Sequence, residues 1–121
     1  MNSKTSKVII TDHNKKILML KNSWKEWELP GGHADKRESY INCAKREVYE
    51  ETGVRIINIE RVKIIDQCTI FYSVINKRPN VKLSSEHIKY KWVALDEIEN
   101  MKISRRSQDY IDIIIETVNN Y

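Results

Sequence analysis

The sequence predicts an α/β fold in which a mixed central sheet carries helices on both faces. Short runs rich in Ile and Val recur along the chain, and two segments with helical spacing interrupt them. These strands and helices do not alternate regularly, which disfavours a doubly wound parallel sheet. With 121 residues, of which 40% are hydrophobic and 31% charged, the chain has the size and composition of one globular domain. We therefore expect a single domain over residues 1–121.

The fold is expected to open with a β-hairpin. Two runs rich in apolar and β-branched residues, 7–12 and 15–23, meet at Asp12, His13 and Asn14. Polar residues at such a junction are typical of the tight turn between two antiparallel strands.

The first helix is predicted over residues 38–52. This stretch contains no Gly or Pro, and it places Ile41, Ala44 and Val48 at helical spacing on one apolar face. Gly53 follows directly and is the kind of residue that ends a helix in the left-handed conformation.

Three more strands and a short helical turn are predicted in the second half. Residues 55–75 are dense in Ile and Val and predict two strands, and the polar segment 76–80 predicts a break after them. Residues 87–95 alternate well enough to form another strand. Asp96 is then predicted to cap a helical turn that runs to about Met101.

The chain is predicted to end in an amphipathic helix. Ser104 can serve as its N-cap, because a serine hydroxyl accepts a hydrogen bond from a free amide of the first turn. The predicted apolar face comprises Tyr110, Ile111, Ile114, Ile115 and Val118.

Composition excludes several classes of protein. No apolar run approaches the roughly 18 residues of a membrane span, and the N-terminus lacks the apolar core of a signal peptide. We therefore expect a cytoplasmic protein with no membrane partner, in which Cys43 and Cys68 are reduced thiols. The net charge of +4 suits an anionic ligand, but the basic residues are scattered, and DNA is not an expected partner.

Three glutamates share one face of the first helix. Glu47, Glu50 and Glu51 stand at positions i, i+3 and i+4, where like charges repel by a few tenths of a kcal/mol per pair. A bound cation would remove this conflict, and Mg²⁺ is the ion that such carboxylates suit best. Arg46 precedes Glu50 by one helical turn and can orient its carboxylate. A solvated acidic helix face is the alternative.

A glycine pair lies upstream of this helix. Pro30, Gly31 and Gly32 follow an apparent strand end and are predicted to form a loop, where glycines let the backbone approach an ion or a phosphate closely. By itself this is a weak turn signal. The signal becomes stronger because the glycines, Glu38 and the residues of the helix follow one another at a particular spacing.

The segment GGHADKRESYINCAKREVYEETGV resembles the signature of the Nudix hydrolases, G-x5-E-x7-R-E-U-x-E-E-x-G-U, where U is apolar. Every defined position of the signature is present over residues 32–54, including the structural positions Gly32, Glu38 and Gly53. The stretches WELPGG before it and SSEHIKYKWVALDEI after it are also similar to that family. The resemblance implies an α/β/α sandwich around a mixed central sheet.

The resemblance also implies hydrolysis of the diphosphate linkage in a nucleoside diphosphate derivative. Glu47, Glu50 and Glu51 would be ligands of Mg²⁺, or of Mn²⁺ as the alternative, with the Gly31 carbonyl as a backbone ligand. Arg46 would act structurally and electrostatically.

Two other glutamates have implied roles. Glu38 would brace the loop against the helix. The family places its general base either on the box helix or on a later loop, and Glu86, just before the strand at 87–95, is the loop candidate.

Aromatic side chains are candidate substrate contacts, because aromatic faces stabilise nucleobases. Trp27 and Tyr72 are the residues proposed for this role, although strand positions more often bury such side chains in the core. The three histidines form no ligand set by spacing, and His33 alone is expected near the site. Arg105 and Arg106 are weaker candidates for phosphate contacts.

The leading hypothesis is a nucleoside triphosphate pyrophosphohydrolase. A dinucleoside polyphosphate hydrolase, an RNA 5′-end pyrophosphohydrolase and a non-catalytic nucleotide-binding module remain open as alternatives. The expected partner is a nucleotide or nucleoside diphosphate derivative, and an RNA end remains open. Monomer and homodimer are both open.

Overall fold

The computed structural model describes residues 4–121, without the side chain of Arg106. Its strands are β1 (Thr5–Thr11), β2 (Ile17–Asn22), β3 (Trp27–Glu28), β4 (Gly31–His33), β5 (Glu60–Ile65), β6 (Cys68–Val74) and β7 (His87–Val93). Its helices are α1 (Tyr40–Thr52), α2 (Leu95–Ile98), α3 (Arg105–Gln108) and α4 (Ile111–Asn120). Within these described residues, no helix is long and apolar enough to cross a membrane.

The strands of residues 4–121 form one seven-stranded mixed sheet. Its main order is β3-β2-β1-β6-β5, with β4 paired to β1 and β7 paired to β2. Strand β1 runs parallel to β6 along its whole length and antiparallel to β2 and β4. This arrangement confirms the predicted mixed sheet.

The predicted first hairpin forms, with β1 beginning two residues earlier than expected and β2 shorter than the predicted run 15–23, and the two strands predicted over 55–75 form a second hairpin. The first turn is closed by Asp12, whose Oδ1 accepts hydrogen bonds from the amides of Asn14 and Lys16, each at 2.9 Å. Because these amides bond to Asp12, residues 12–16 form the turn, and β2 begins only at Ile17. The second hairpin joins β5 to β6, and its first strand begins at Glu60 rather than at residue 55.

Hydrophobic side chains pack on both faces of the sheet, because alternate strand residues point to opposite sides. One face carries α1 and the other carries α4, which makes three layers. The α1 layer buries Val8, Ile10, Leu18, Leu20, Ala44, Val48, Val54, Ile56 and Phe71. The opposite layer includes Ile9, Ile17, Met19, Leu29, Ile70, Tyr72, Val93, Ile98, Ile114 and Val118.

Helix α1 begins two residues later than predicted. Ser39 is its N-cap, and the Ser39 hydroxyl accepts a hydrogen bond from the amide of Asn42 at 3.1 Å. Gly53 ends the helix as expected, with φ 74°. The predicted apolar face is wrong at Ile41, which is 39% exposed, because the helix buries Cys43 and the polar residues near its C-terminus.

The helical turn after β7 is not capped by Asp96. Its N-cap is Ala94, whose amide donates to the carboxylate of Glu97 at 3.1 Å, and Asp96 lies inside α2. The Glu97 carboxylate, three residues after Ala94, therefore accepts from the amide of the N-cap residue itself, as the glutamate of a capping box does.

The predicted C-terminal helix is two helices. The Ser104 hydroxyl accepts a hydrogen bond from the Ser107 amide and caps α3, and the chain breaks at Asp109 and Tyr110 before α4 begins. Tyr110, Ile114 and Val118 are buried as predicted. Ile111 and Ile115 are only half-buried, and α4 buries Ile113 and Thr117 instead.

Candidate active site

The glycine pair lies in a strand rather than in the predicted loop. Gly31 and Gly32 form β4 with His33, and they pair with Lys7 and Ser6 of β1. Gly31 has φ 141°, and a Cβ at this position would collide with the Ser6 carbonyl oxygen. Only glycine permits both the backbone conformation and this close pairing with β1.

Gly31 also connects β4 to the acidic face of α1. Its amide donates a hydrogen bond to Oε1 of Glu51 at 2.9 Å. Glu51 is 4% exposed. Burial raises the pKa of Glu51 to about 7, and the bond from Gly31 only partly offsets that effect.

Gly32 makes room for the second carboxylate of the helix. A Cβ on Gly32 would lie 2.5 Å from Oε2 of Glu47. Burial raises the pKa of Glu47, and the negative charges of Glu50 and Glu86 raise it further, against the opposing effect of Arg46. The two glycines thus set how closely two carboxylates approach the β4 backbone.

Arg46 binds three glutamates at once. Its Nε and Nη2 donate to the two carboxylate oxygens of Glu38 at 2.8 and 2.9 Å, which is bidentate pairing. Its Nη1 donates to Glu47 at 2.9 Å and to Glu50 at 2.8 Å. Its Nη2 also donates to the His33 carbonyl at 2.9 Å, so Arg46 joins helix α1 to β4.

Glu38 closes this network on the side of the loop. Its Oε1 accepts a hydrogen bond from the Asp35 amide at 2.9 Å. The bonds from Arg46, followed by that from Asp35, hold the pKa of Glu38 at about 2. Glu38 therefore connects the loop at 34–38 to α1.

A cavity of about 560 Å³ lies beside these groups. Helix α1 contributes Glu47 and Glu51 to its lining, and β4 contributes Gly31 and Gly32. The remaining lining residues are Thr5, Lys7, Glu28, His33, Ile65, Asp66, Gln67, Cys68, Glu86, Asp109 and Tyr110. Glu50 does not line the cavity, and its side chain is 56% exposed.

The loop before β7 brings Glu86 to the cavity. Two backbone hydrogen bonds fix this loop to the C-terminal end of α1, from Lys82 to the Thr52 carbonyl at 2.8 Å and from Ser84 to the Glu51 carbonyl at 3.2 Å. Glu86 is exposed and lines the same cavity as Glu51. The sequence placed these two glutamates in separate segments, and the sheet brings them together.

His87 is the residue that the sequence analysis missed. Ligand atoms of Glu51, Glu86 and His87 all lie within 4.8 Å of one another. The expectation that His33 alone lies near the site is therefore wrong, because β7 pairs with β2 and carries its first residue to the end of α1. Adjacency to Glu86 was the only signal for His87 in the sequence.

Glu28 is a second residue that the sequence analysis did not assign. It lines the cavity, and its Oε2 is 2.9 Å from Nε2 of His87. Burial alone would raise the pKa of Glu28, but the hydrogen bond with His87 and the charge of Lys7 outweigh burial and lower it.

The donor set fits a divalent cation. Glu47, Glu51 and Glu86 line one cavity, and burial raises the pKa of both Glu47 and Glu51. Crowded, partly buried carboxylates of this kind are stabilised in their ionised form by a cation. Hard oxygen donors suit Mg²⁺ and Mn²⁺.

Neither predicted aromatic contact lines this cavity. Trp27 packs against the core on the α4 side of the sheet. Tyr72 is 4% exposed and its hydroxyl is 3.0 Å from that of Thr11. Arg105 is exposed, and the side chain of Arg106 lies outside the described residues. Roles for these residues in substrate binding remain predictions.

Comparison with known proteins gives the family. The NUDIX domain family matches residues 1–112, most of the chain, and the chain belongs to this family. The 8-oxo-dGTP diphosphatase of Buchnera aphidicola is 29% identical over 100 residues, which cover 79% of this chain and 74% of that protein. The rat asymmetrical bis(5'-nucleosyl)-tetraphosphatase is 32% identical over 84 residues, 59% of this chain and 57% of that protein.

A solved structure supports the same fold. The MutT protein from Methanosarcina mazei superimposes with a TM-score of 0.73 at 27% sequence identity, and the match covers 95% of this chain and 94% of that chain. The family and the enzymes among its relatives make this protein a hydrolase of phosphoric anhydride bonds. The resemblance noted in the sequence and the predicted fold class are thereby confirmed.

Proposed function

We propose that this protein is a divalent-metal-dependent pyrophosphohydrolase of nucleoside triphosphates. The observation that supports this most directly is the convergence of Glu47, Glu51 and Glu86 on one cavity bordered by Gly31 and Gly32. The similarity to a diphosphatase named for a nucleoside triphosphate agrees with it.

The proposed ligands of the cation are Glu47, Glu50 and Glu51, together with the Gly31 carbonyl. When bound, the cation supplies positive charge that offsets the charge of the diphosphate. Arg46 is engaged with carboxylates through each of its nitrogens, so we assign it the task of holding the glutamates rather than the substrate.

Lys7 supplies a positively charged side chain for binding the substrate. It lines the cavity, and its Nζ lies 3.3 Å from the Leu29 carbonyl, which fixes the ammonium group at the cavity wall. An ammonium group at this place attracts phosphate oxygens as a point charge.

Glu86 is the proposed general base. A water oxygen forms a bond to phosphorus as the bridging P–O bond breaks, and the bridging oxygen leaves with the electron pair on the departing phosphate. The proton of the water passes to Glu86. This carboxylate is exposed on a loop at the cavity, whereas Glu51 is buried and accepts the Gly31 amide.

The test is the variant Glu86→Gln. We expect kcat on a nucleoside triphosphate to fall by about 10²- to 10⁴-fold while KM changes little, because a general base acts on the chemical step. Glu99→Gln, another exposed glutamate, is the matched control. Full activity in E86Q would place the base elsewhere, and nucleotide binding without any turnover in the parent would make the protein a binding module.

A second candidate substrate class is a longer polyphosphate, such as a dinucleoside polyphosphate or an RNA 5′ end. A cavity of about 330 Å³ beside the first is lined by Lys4, His33, Lys36 and Arg37, together with Ala34, Asp35 and Glu38. Within residues 4–121, Lys36 and Arg37 take part in none of the ion pairs. These free cations would suit an anion that extends beyond the first cavity.

The double variant Lys36→Gln/Arg37→Gln separates the two classes. If a longer polyphosphate is the substrate, kcat/KM on it should fall about tenfold or more, while kcat/KM on a nucleoside triphosphate stays the same. Equal effects on both classes would remove the support for this second candidate. A double variant at two exposed lysines that line neither cavity, Lys63→Gln/Lys89→Gln, controls for net charge.

A further inference from the structure

His87 has one ring nitrogen that the fold leaves unused. Its side chain is 2% exposed. Among the described residues, Nδ1 of His87 has no hydrogen-bond partner. A buried polar atom without a hydrogen-bond partner destabilises the fold, so such an atom calls for an explanation in function.

The other ring nitrogen is held by a carboxylate. Nε2 of His87 lies 2.9 Å from Oε2 of Glu28, and Oε1 of Glu28 accepts a hydrogen bond from the Asn22 side chain at 2.9 Å. An ionised carboxylate at this distance needs a donor, so it selects the tautomer with the proton on Nε2. The Nδ1 lone pair is then free.

His87 belongs to a group with Glu51 and Glu86, in which one ring nitrogen of His87 and one carboxylate oxygen of each glutamate lie within 4.8 Å of one another. A histidine that donates one ring N–H to a carboxylate and offers the other nitrogen is the usual arrangement of a metal-binding imidazole. An acidic cluster alone would not indicate a nitrogen ligand. Here the buried, unpartnered Nδ1 is a second and independent observation.

We propose that His87 is a nitrogen ligand of the divalent cation, next to Glu51 and Glu86, with Glu28 as the residue that positions its ring. This rests on the metal dependence proposed above. It assigns the site to ions that accept imidazole together with carboxylates, and Mn²⁺ is bound more tightly than Mg²⁺. Loss of the nitrogen ligand in His87→Gln lowers Mn²⁺ affinity by about 10- to 100-fold and Mg²⁺ affinity less, because Mg²⁺ prefers oxygen ligands.

The test is electron spin echo envelope modulation spectroscopy of Mn²⁺ bound to the full chain in the absence of nucleotide. We expect modulation from a directly coordinated ¹⁴N nucleus, replaced by the ¹⁵N pattern when the protein is labelled with imidazole-¹⁵N histidine. His87→Gln should abolish the nitrogen signal. His13→Gln and His33→Gln should retain it, and the second of these is needed because His33 lines the same cavity.

Each outcome of this experiment decides whether His87 is a ligand, and one of them also decides whether the protein depends on a metal. Stoichiometric Mn²⁺ binding without nitrogen coupling overturns the assignment of His87 and leaves the proposed hydrolase intact. A nitrogen signal that disappears in His33→Gln and persists in His87→Gln also overturns it. Absence of Mn²⁺ and Mg²⁺ binding overturns both proposals together. The labelled parent protein decides the presence of a nitrogen ligand even if His87→Gln does not fold.

Discussion

Glu51 on α1 and Gly31 on β4 are joined by a hydrogen bond of 2.9 Å from the Gly31 amide to the Glu51 carboxylate. This bond fixes a buried carboxylate at the wall of the cavity, but the bond and the nearby charge of Lys7 do not offset the effect of burial, and the pKa of Glu51 stays raised. The cost of burying the charge is therefore left for a cation to offset.

Glu51→Gln should stabilise the metal-free protein at alkaline pH. The pKa of Glu51 is raised from 4.5 to about 7, so ionisation favours the unfolded chain, and the free energy of unfolding falls as pH rises through this window. The loss amounts to about 3 kcal/mol by about pH 8 and is absent below about pH 4. Urea unfolding with EDTA at both pH values measures it.

When a divalent metal is added, Glu51→Gln should no longer be more stable than the parent protein. A divalent cation binds the folded parent and restores its stability, whereas E51Q has one ligand fewer. Glu99→Gln, an exposed glutamate, is the control. Equal stability of E51Q and the parent at all pH values would contradict the burial argument for Glu51.

Glu38→Gln should destabilise the fold near neutral pH by about 1–2 kcal/mol, because it removes the charge that pairs with Arg46 in two hydrogen bonds. The pKa of Glu38 is depressed from 4.5 to about 2. Its contribution is therefore complete above about pH 4.5 and is lost as pH falls towards about 2. Chemical unfolding at neutral pH and at about pH 3 tests this, and a difference between E38Q and the parent that grows on acidification would contradict it.

Gly31→Ala and Gly32→Ala should fail in different ways. In G31A, a Cβ meets the backbone of Ser6 and Lys7 in a conformation that side chains rarely adopt, which should cost about 2 kcal/mol or more of stability. In G32A, the added methyl group meets the Glu47 carboxylate, which can move. We therefore expect G32A to fold and to lose about tenfold or more in kcat, because a proposed ligand is displaced.

Thermal unfolding and steady-state kinetics on the two glycine variants separate these effects. Gly53→Ala is a useful comparison, because a Cβ there meets nothing closer than 3.7 Å and only the backbone conformation opposes it. Unchanged activity in a folded G32A would show that the position of Glu47 does not matter for turnover.

Tyr72→Phe should cost about 1 kcal/mol of stability and leave KM unchanged. Its hydroxyl is 3.0 Å from that of Thr11 inside the core, and its ring packs 4.8 Å from that of Tyr121. A double-mutant cycle with Thr11→Val isolates the hydrogen bond. A several-fold rise in KM with unchanged stability would instead support the predicted substrate contact.

The order of strands and helices could be predicted because their signals are local. Hydrophobic spacing places α1, and Gly53 ends it as expected. The errors in the helix boundaries occur where the capping residue or a break in the chain differs from the one that the sequence predicts. Ser39 moves the start of α1, Glu97 replaces Asp96 at α2, and the break at Tyr110 divides the last helix.

The candidate site could be predicted where its residues belong to the signature or to the flanking segment that is similar to the family. Glu47 and Glu51 follow from the register of the signature, and Glu86 from its place before β7. Glu28 and His87 meet because β3 and β7 both pair with β2, a tertiary relation without a local signal. The opposite exposure of Glu50 and Glu51 likewise depends on which side of α1 faces β4.

The most direct test of the central claim is phosphate or pyrophosphate release from a panel of substrates, with Mg²⁺, with Mn²⁺ and with EDTA. The panel contains nucleoside triphosphates, a dinucleoside tetraphosphate, ADP-ribose and 5′-triphosphorylated RNA. We expect metal-dependent turnover that is highest on a nucleoside triphosphate and is abolished by EDTA. Turnover that persists in EDTA, or no turnover from folded protein that binds the metal, would contradict the proposal.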